Sequence, residues 1–233
     1  MIYDDLATRL VAEYRLFLFA LAGRYQQVRS PGVEITPRTI ADLSYAAHDL
    51  GNTFYQLAMR EIDDYMQAQS EDRSDALRDT LVVRSKEVKA LIRRMVAENV
   101  EQTVMMTRTG MGSHTKLLKN TSGAMGMLVQ KKAGEIEFKV TDTSGRRWQA
   151  NKLLAVIVRD YAYQSAIDAQ LDDMRSHGIK LAAAIRVNDA GYIVEQVTFA
   201  IDGDVAGHPS LDEIRDTIFH PNSTAQVTPY VSA

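Results

Sequence analysis

Glu135-Ile136-Glu137-Phe138-Lys139-Val140 alternates polar and apolar residues with a period of two, the pattern of a half-buried strand. Everything before residue 108 repeats instead every three or four residues, so the change of period near this stretch decides the fold class. From about Tyr3 to Gln26, Leu6, Leu10, Phe17, Leu21 and Tyr25 fall near helical spacing before Ser30-Pro31-Gly32 interrupts the pattern. Thr36-Pro37 is a helix-start signal, a capping hydroxyl before a proline whose fixed φ and missing N–H suit the first helical position. The helix it opens runs to about Ala68 with a stripe of Leu43, Ala47, Leu50, Phe54, Leu57, Ile62 and Tyr65. A third stretch, roughly Ser74 to Thr107, repeats Leu77, Leu81, Val88, Leu91 and Met95. Three apolar stripes need one another, which predicts a bundle or a long helical hairpin.

Beyond the alternating stretch, Thr143-Ser144-Gly145 can turn the chain, and about Trp148 to Ser176 reads as a long helix stopped by His177-Gly178. Two strands are expected at Leu181 to Val187 and Tyr192 to Ile201 around Asn188-Asp189-Ala190-Gly191. The sequence therefore predicts an α+β protein in three parts. These are a helical domain over 1–107, a basic Gly-rich connector over 108–133, and a small α+β domain over 134–233 whose long helix packs on a short antiparallel sheet.

Composition narrows the function classes. The chain has 233 residues, 45% hydrophobic and 24% charged, which is too apolar for a disordered chain and too polar for a membrane protein. The apolar run Leu16 to Ala22 is too short to span a bilayer and follows Asp4, Asp5 and Glu13 where a signal peptide carries basic residues, so the expectation is a soluble, unprocessed protein. A net charge of -3 restricts any nucleic-acid site to a regional patch. With no cysteine, disulfides, zinc ribbons and thiolate catalysis are excluded.

That regional patch is the connector. Arg108, Lys116, Lys119, Lys131 and Lys132 lie in a stretch without Asp or Glu, broken by Gly110, Gly112, Gly123 and Gly126. Gly110-Met111-Gly112-Ser113-His114-Thr115-Lys116 lacks the order of a phosphate loop, because a helix precedes it where a buried strand is needed. The five cations can still neutralise phosphates, with sequence-blind and salt-dependent affinity; an exposed basic loop without a ligand is the alternative. No aromatic residue interleaves with them, which argues against stacking on single strands. Met105, Met106, Met111, Met125 and Met127 read as adaptable packing, ordered through assembly.

The histidines are His48, His114, His177, His208 and His220, and none forms a metal-binding i, i+4 pair. His48 reads as a rim histidine, and His177 as a cap for terminal carbonyls. His208 and His220, with Asp202, Asp204 and Asp212, form the one cluster on which acid–base or metal chemistry could be built; the competing reading is an acidic loop with a rigid turn at His220-Pro221-Asn222. No activated nucleophile accompanies the cluster, so no catalytic residue, metal or cofactor is assigned. A small hydrolase using these histidines and a non-specific DNA-binding module stand as rival readings.

Thr143-Ser144-Gly145-Arg146-Arg147-Trp148, the helix with Val156-Ile157-Val158-Arg159, His177-Gly178-Ile179 before a strand, and Phe219-His220-Pro221-Asn222 with Pro229-Tyr230 occur in a telling order. Over roughly residues 134–233 the chain resembles the phage head-morphogenesis (Mu F-like) and minor capsid protein families. It departs from them at Ser223 and Thr224, where Cys and Arg are usual, and at Asp160, where Thr usually follows the mid-helix arginine. A thiol or metal role is therefore not carried over. The resemblance implies structural roles for Arg146, Trp148, Arg159, His220, Pro221 and Asn222: Arg159 as a buried or semi-buried fork, and His220-Pro221-Asn222 as a turn pinning the tail. It further implies a non-enzymatic minor component of the virion head, made in the host cytoplasm and present in multiple copies. Such a component binds the portal or the major capsid protein, acts in head assembly and genome packaging or delivery, and touches packaged double-stranded DNA but no membrane.

Overall fold

The computed structural model describes residues 2–30, 32–108, 138–142, 144–220 and 223–230. Three long helices come first: α1 (Ile2–Val28), α2 (Pro37–Ser70) and α3 (Asp75–Arg108). A hairpin of β1 (Lys139–Thr141) and β2 (Arg147–Gln149) leads into α4 (Ala150–Ser176). Then follow β3 (Leu181–Val187), β4 (Ile193–Ala200), α5 (Leu211–Ile218) and β5 (Gln226–Pro229). The α+β architecture with a helical N-terminal part is thus as the periodicity predicts. Among the described residues no helix is long and apolar enough to cross a membrane.

Packing groups the chain into two compact units, each drawn from separated stretches instead of one consecutive run. One unit consists of Thr8–Glu61 and Lys89–Ala155. Its core joins α1 to α2 through Tyr14 and Phe17 of α1 and Phe54 of α2, with ring centroids 5.0–5.6 Å apart. Each such side chain, fully buried, contributes roughly 1.5–3 kcal/mol. The Tyr14 hydroxyl accepts from Asn99 Nδ2 of α3. Burial pushes that phenol well above its usual range, so it stays neutral. Farther along α3, Thr103 and Thr107 are buried with their hydroxyls donating to the carbonyls of Asn99 and Thr103, which satisfies polar groups that burial otherwise penalises. Gly51 of α2 lies where α3 passes closest: a Cβ there meets Val96 Cγ1 at 2.9 Å and Val100 Cγ2 at 3.1 Å.

The other unit consists of Met1–Ala7, Ile62–Val88 and Val156–Ala233. Its sheet has the order β4-β3-β5, antiparallel throughout, with Ala182 opposite both Phe199 and Pro229. Pro229 is tolerated because β5 is an edge strand. One side of α4, with Tyr163, Ile167, Leu171 and Met174, packs with Ala182, Phe199, Phe219 and Val227. Its other side carries Ala169, packed with Leu77 and Leu81 of α3. Covered on two sides, α4 leaves few of its residues exposed. It ends at Gly178, whose φ of +71 lets Ile179 N–H reach the Met174 carbonyl and its own N–H reach Arg175.

Three expectations are corrected. Trp148, expected to open the long helix, lies in β2 opposite Val140, and the helix starts at Ala150. The strand expected over 135–140 is described only from Lys139 and runs to Thr141, residues 135–137 being outside the described set. Arg159, expected to be buried or semi-buried, is exposed on α4.

Candidate functional site

The segment Asp142 to Trp148 is built around one carboxylate. Asp142 Oδ1 accepts from the Ser144 backbone N–H at 3.0 Å, the Ser144 hydroxyl at 2.7 Å and the Arg146 N–H at 2.9 Å. Its Oδ2 accepts from the Trp148 indole N–H at 2.7 Å. This is an Asx-type turn extended to a second residue pair, and Gly145, at φ +81, supplies the left-handed corner. The Ser144 hydroxyl foremost, then the indole and the two backbone N–H groups, hold the Asp142 carboxyl down at about 2. The Arg146 guanidinium sits 4.4 Å from the centre of the Trp148 ring, a cation–π contact over an indole already fixed by its N–H. Arg146 and Trp148, both singled out by the sequence, therefore meet. Asp142, which organises them, lies just outside the quoted motif.

Arg159 contributes nothing to a buried fork because it projects to the exposed side of α4. The arginines that fill that role are Arg84 of α3 and Arg215 of α5. They flank Asp168, whose side chain is only 8% exposed, at 2.7 Å from Oδ2 and 2.6 Å from Oδ1. Arg215 also donates to Gln164 Oε1 at 3.2 Å, while Gln164 Nε2 donates to the Phe219 carbonyl. Asp172, one turn on, accepts from the backbone N–H and the hydroxyl of Ser74, the residue that caps α3 by accepting from Leu77 N–H. Asp160 bonds Gln164 and has its carboxyl raised mainly by burial. Asp160, Gln164, Asp168 and Asp172 thus form a polar seam at four-residue spacing between the two apolar sides of α4. In sequence these four have the spacing of an exposed polar stripe, so the helix period alone does not mark them as buried.

The closing motif follows from the same helix. The Ser223 N–H donates to the His220 carbonyl at 2.8 Å, forming a turn. The Tyr163 hydroxyl donates to the Ala225 carbonyl at 2.8 Å, setting the chain into β5. Tyr230 N–H then donates to Leu181 at 3.0 Å. Pro221 and Asn222 lie outside the described residues.

The histidine cluster does not assemble around its aspartates. Asp202 is gripped by Arg175, whose Nε reaches both carboxylate oxygens at 2.9 and 3.0 Å. With Asp212 it lines a shallow cleft of about 210 Å³ shared with Gly203 and Ser210. His208 instead faces Tyr230, with ring centroids 6.3 Å apart, and Asp204 is exposed. His177 Nδ1 lies 2.8 Å from the Asp173 carbonyl, and His48 Nδ1 2.7 Å from that of Ser44. Both serve helix carbonyls. Among the described residues no three acidic or histidine side chains are grouped to hold a metal ion. Of the cationic connector, Arg108 is described, exposed at the end of α3. Lys116, Lys119, Lys131, Lys132 and His114 lie outside the described residues. Searches of family models, curated proteins and solved structures return no match to this chain.

Proposed function

We propose that the chain is a non-enzymatic structural protein of a phage head, a minor capsid or portal-proximal component carried in multiple copies. The observation that carries this reading is the hairpin of Ser144-Gly145-Arg146 and Trp148, locked by Asp142 and running directly into the long helix that the resemblance calls for. The turn at His220 feeding the last strand supports it from the other end of the region. On this reading the charged residues of α4 serve rigidity, since Asp168 and Asp172 spend their oxygens on neighbouring helices. Arg108 with Lys116, Lys119, Lys131 and Lys132 supplies sequence-blind contact with packaged duplex.

The test is mass spectrometry of purified proheads and filled heads from the phage that encodes the chain. The expected result is peptides of this chain at a fixed ratio to the portal protein, retained through a density gradient. Absence from both particle types overturns the proposal. The DNA clause is tested separately by titrating random duplex over a salt series, where neutralising the four lysines lowers the slope of log K against log salt by up to about 0.9 per lost contact. No affinity at low salt removes that clause alone.

A further inference from the structure

The hairpin that leads into α4 concentrates positive charge. Residues 138–155 hold Lys139, Arg146, Arg147 and Lys152 against one acid, Asp142. Both oxygens of that acid are engaged inside the hairpin by the donors of Ser144, Arg146 and Trp148. All four cations are exposed. Lys139 pairs with Gln149 and Thr141 with Arg147, so Lys139 and Arg147 share one face on a diagonal roughly 7–8 Å long. Arg146 is held by attraction to the Trp148 ring and not through its side-chain N–H groups, none of which meets an acceptor among the described residues.

We infer that the hairpin and the first turn of α4 bind the phosphate backbone of duplex nucleic acid, with Arg146, Arg147 and Lys152 each meeting a phosphate. Charge complementarity selects this partner. A duplex carries one negative charge per about 1.7 Å of axis, dense enough to engage neighbouring cations together, and the guanidinium fork matches phosphate oxygens. What the hairpin lacks selects against other polyanions. Phe138 and Val140 are 4% and 2% exposed, so neither side chain can enter an anionic membrane. Trp148 is half-buried with Arg146 on its ring, which leaves a poor platform for stacking unpaired bases. An acidic protein surface needs an exposed apolar or aromatic anchor at the centre of its contact, and the patch has none. The contact reads backbone and not sequence, so it is weak and falls steeply with salt. The site is distinct from the connector lysines, and the inference stands whether or not the protein belongs to a phage head.

Trp148 is the only tryptophan, so its emission reads this site and not the connector. A labelled random-sequence duplex is titrated with the full-length chain over a four-fold range of low salt, following duplex anisotropy and tryptophan emission together. Arg147→Gln with Lys152→Gln removes two contacts and is expected to reduce the slope of log K against log salt by about 1.8, so the affinity lost across that range shrinks by about 12-fold. Neither side chain makes a hydrogen bond among the described residues, so far-UV ellipticity is expected to stay unchanged. The same reduction is expected in a chain that also carries Lys116→Gln, Lys119→Gln, Lys131→Gln and Lys132→Gln, which separates this site from the connector. A slope unchanged by the Arg147 and Lys152 pair overturns the proposal, and a slope lost only with the four lysines leaves duplex binding to the connector alone. Duplex binding that leaves the Trp148 emission of the unmodified chain unmoved also overturns it, irrespective of how any variant folds. Equally tight binding of phosphatidylserine vesicles or polyglutamate overturns the assignment to nucleic acid.

Discussion

Replacing Asp168 by asparagine keeps the side chain's shape and removes its charge from between two guanidinium groups. Asp168 is 8% exposed and its oxygens lie 2.7 Å from Arg84 and 2.6 Å from Arg215, each of which keeps a quarter of its side chain in solvent. At an effective dielectric of about 20, charges centred about 4 Å apart attract by about 4 kcal/mol, before desolvation is subtracted. Asp168→Asn loses both attractions and leaves two like charges facing one another, with an amide N–H₂ where one of them needs an acceptor. Breaking a buried pair from one side costs about 3–5 kcal/mol, and the partial solvation of both arginines places this case near 3. For a protein of this size that lowers Tm by about 6–12 °C. The assay is urea unfolding followed by far-UV ellipticity, with the midpoint falling at constant slope. A second variant separates unpaired charge from lost packing. Arg84→Met, Asp168→Leu and Arg215→Met together remove the whole ionic set, and buried ion sets replaced by apolar residues are typically neutral to about 4 kcal/mol more stable. A loss below about 1 kcal/mol for Asp168→Asn, or a triple variant less stable than the single one, refutes the reasoning.

Trp148 is the only tryptophan, so its emission reports the hairpin. Asp142, held down at about 2, stabilises the fold in full above its unfolded value near 3.8 and loses that contribution as pH falls through about 2. The emission change is therefore expected to centre near pH 2, and a midpoint near 3.8 refutes the lock. Asp160 has the opposite sign: raised by burial, its carboxyl favours the fold when protonated, so Asp160→Asn is expected to flatten a loss of stability as pH rises through its folded value. Equal pH profiles for the two proteins above pH 4 contradict it. Gly51→Ala is expected to lower stability by about 1 kcal/mol, overpacking against two stiff valines outweighing helix propensity. Gly23→Ala, which meets open space, is expected to raise monomer stability by about 0.5–1 kcal/mol. Denaturant midpoints moving in the same direction for both glycines refute the crossing argument. Asp172→Ala removes the acceptor for Ser74 and is expected to cost about 1–2 kcal/mol, with faster amide exchange at the start of α3; unchanged exchange there refutes the tie.

The elements readable from sequence are those whose cause is local. Thr36 caps α2 by accepting from Thr39 N–H at 3.2 Å, with Pro37 in the first position as the dipeptide implies. The Asn188 side chain accepts from Ala190 and Tyr192 N–H at 3.1 and 3.0 Å, closing the β3–β4 turn from within five residues. The apolar stripe through Leu43, Phe54 and Ile62 needed only its own spacing to be recognised. Trp148 was misplaced by two residues for a related reason. Its neighbours suit a helix, and what holds it in a strand is the carboxylate of Asp142, acting through a side-chain hydrogen bond that no period records.

The buried ionic set was illegible because nothing near Asp168 announces it. On α4 the acids at 160, 168 and 172 have the four-residue spacing of an exposed charged stripe, and Arg159 looks as well placed to be buried as any arginine. What decides between them is coverage: α4 is packed on one side by the sheet and on the other by α3, so the stripe that looks solvated is the seam between two cores. The partners then come from wherever the fold delivers an arginine. Those are Arg84, from the first third of α3 where the neighbouring charges are exposed, and Arg215, the lone arginine in an acidic tail. That lone arginine is the one sequence-level hint. Among seven acidic residues after Asn188 it is the single arginine, and on the amphipathic α5 it stands next to the buried Ile214 with a quarter of its side chain in solvent. Its guanidinium meets the Asp168 carboxylate of α4, whose burial that partner offsets.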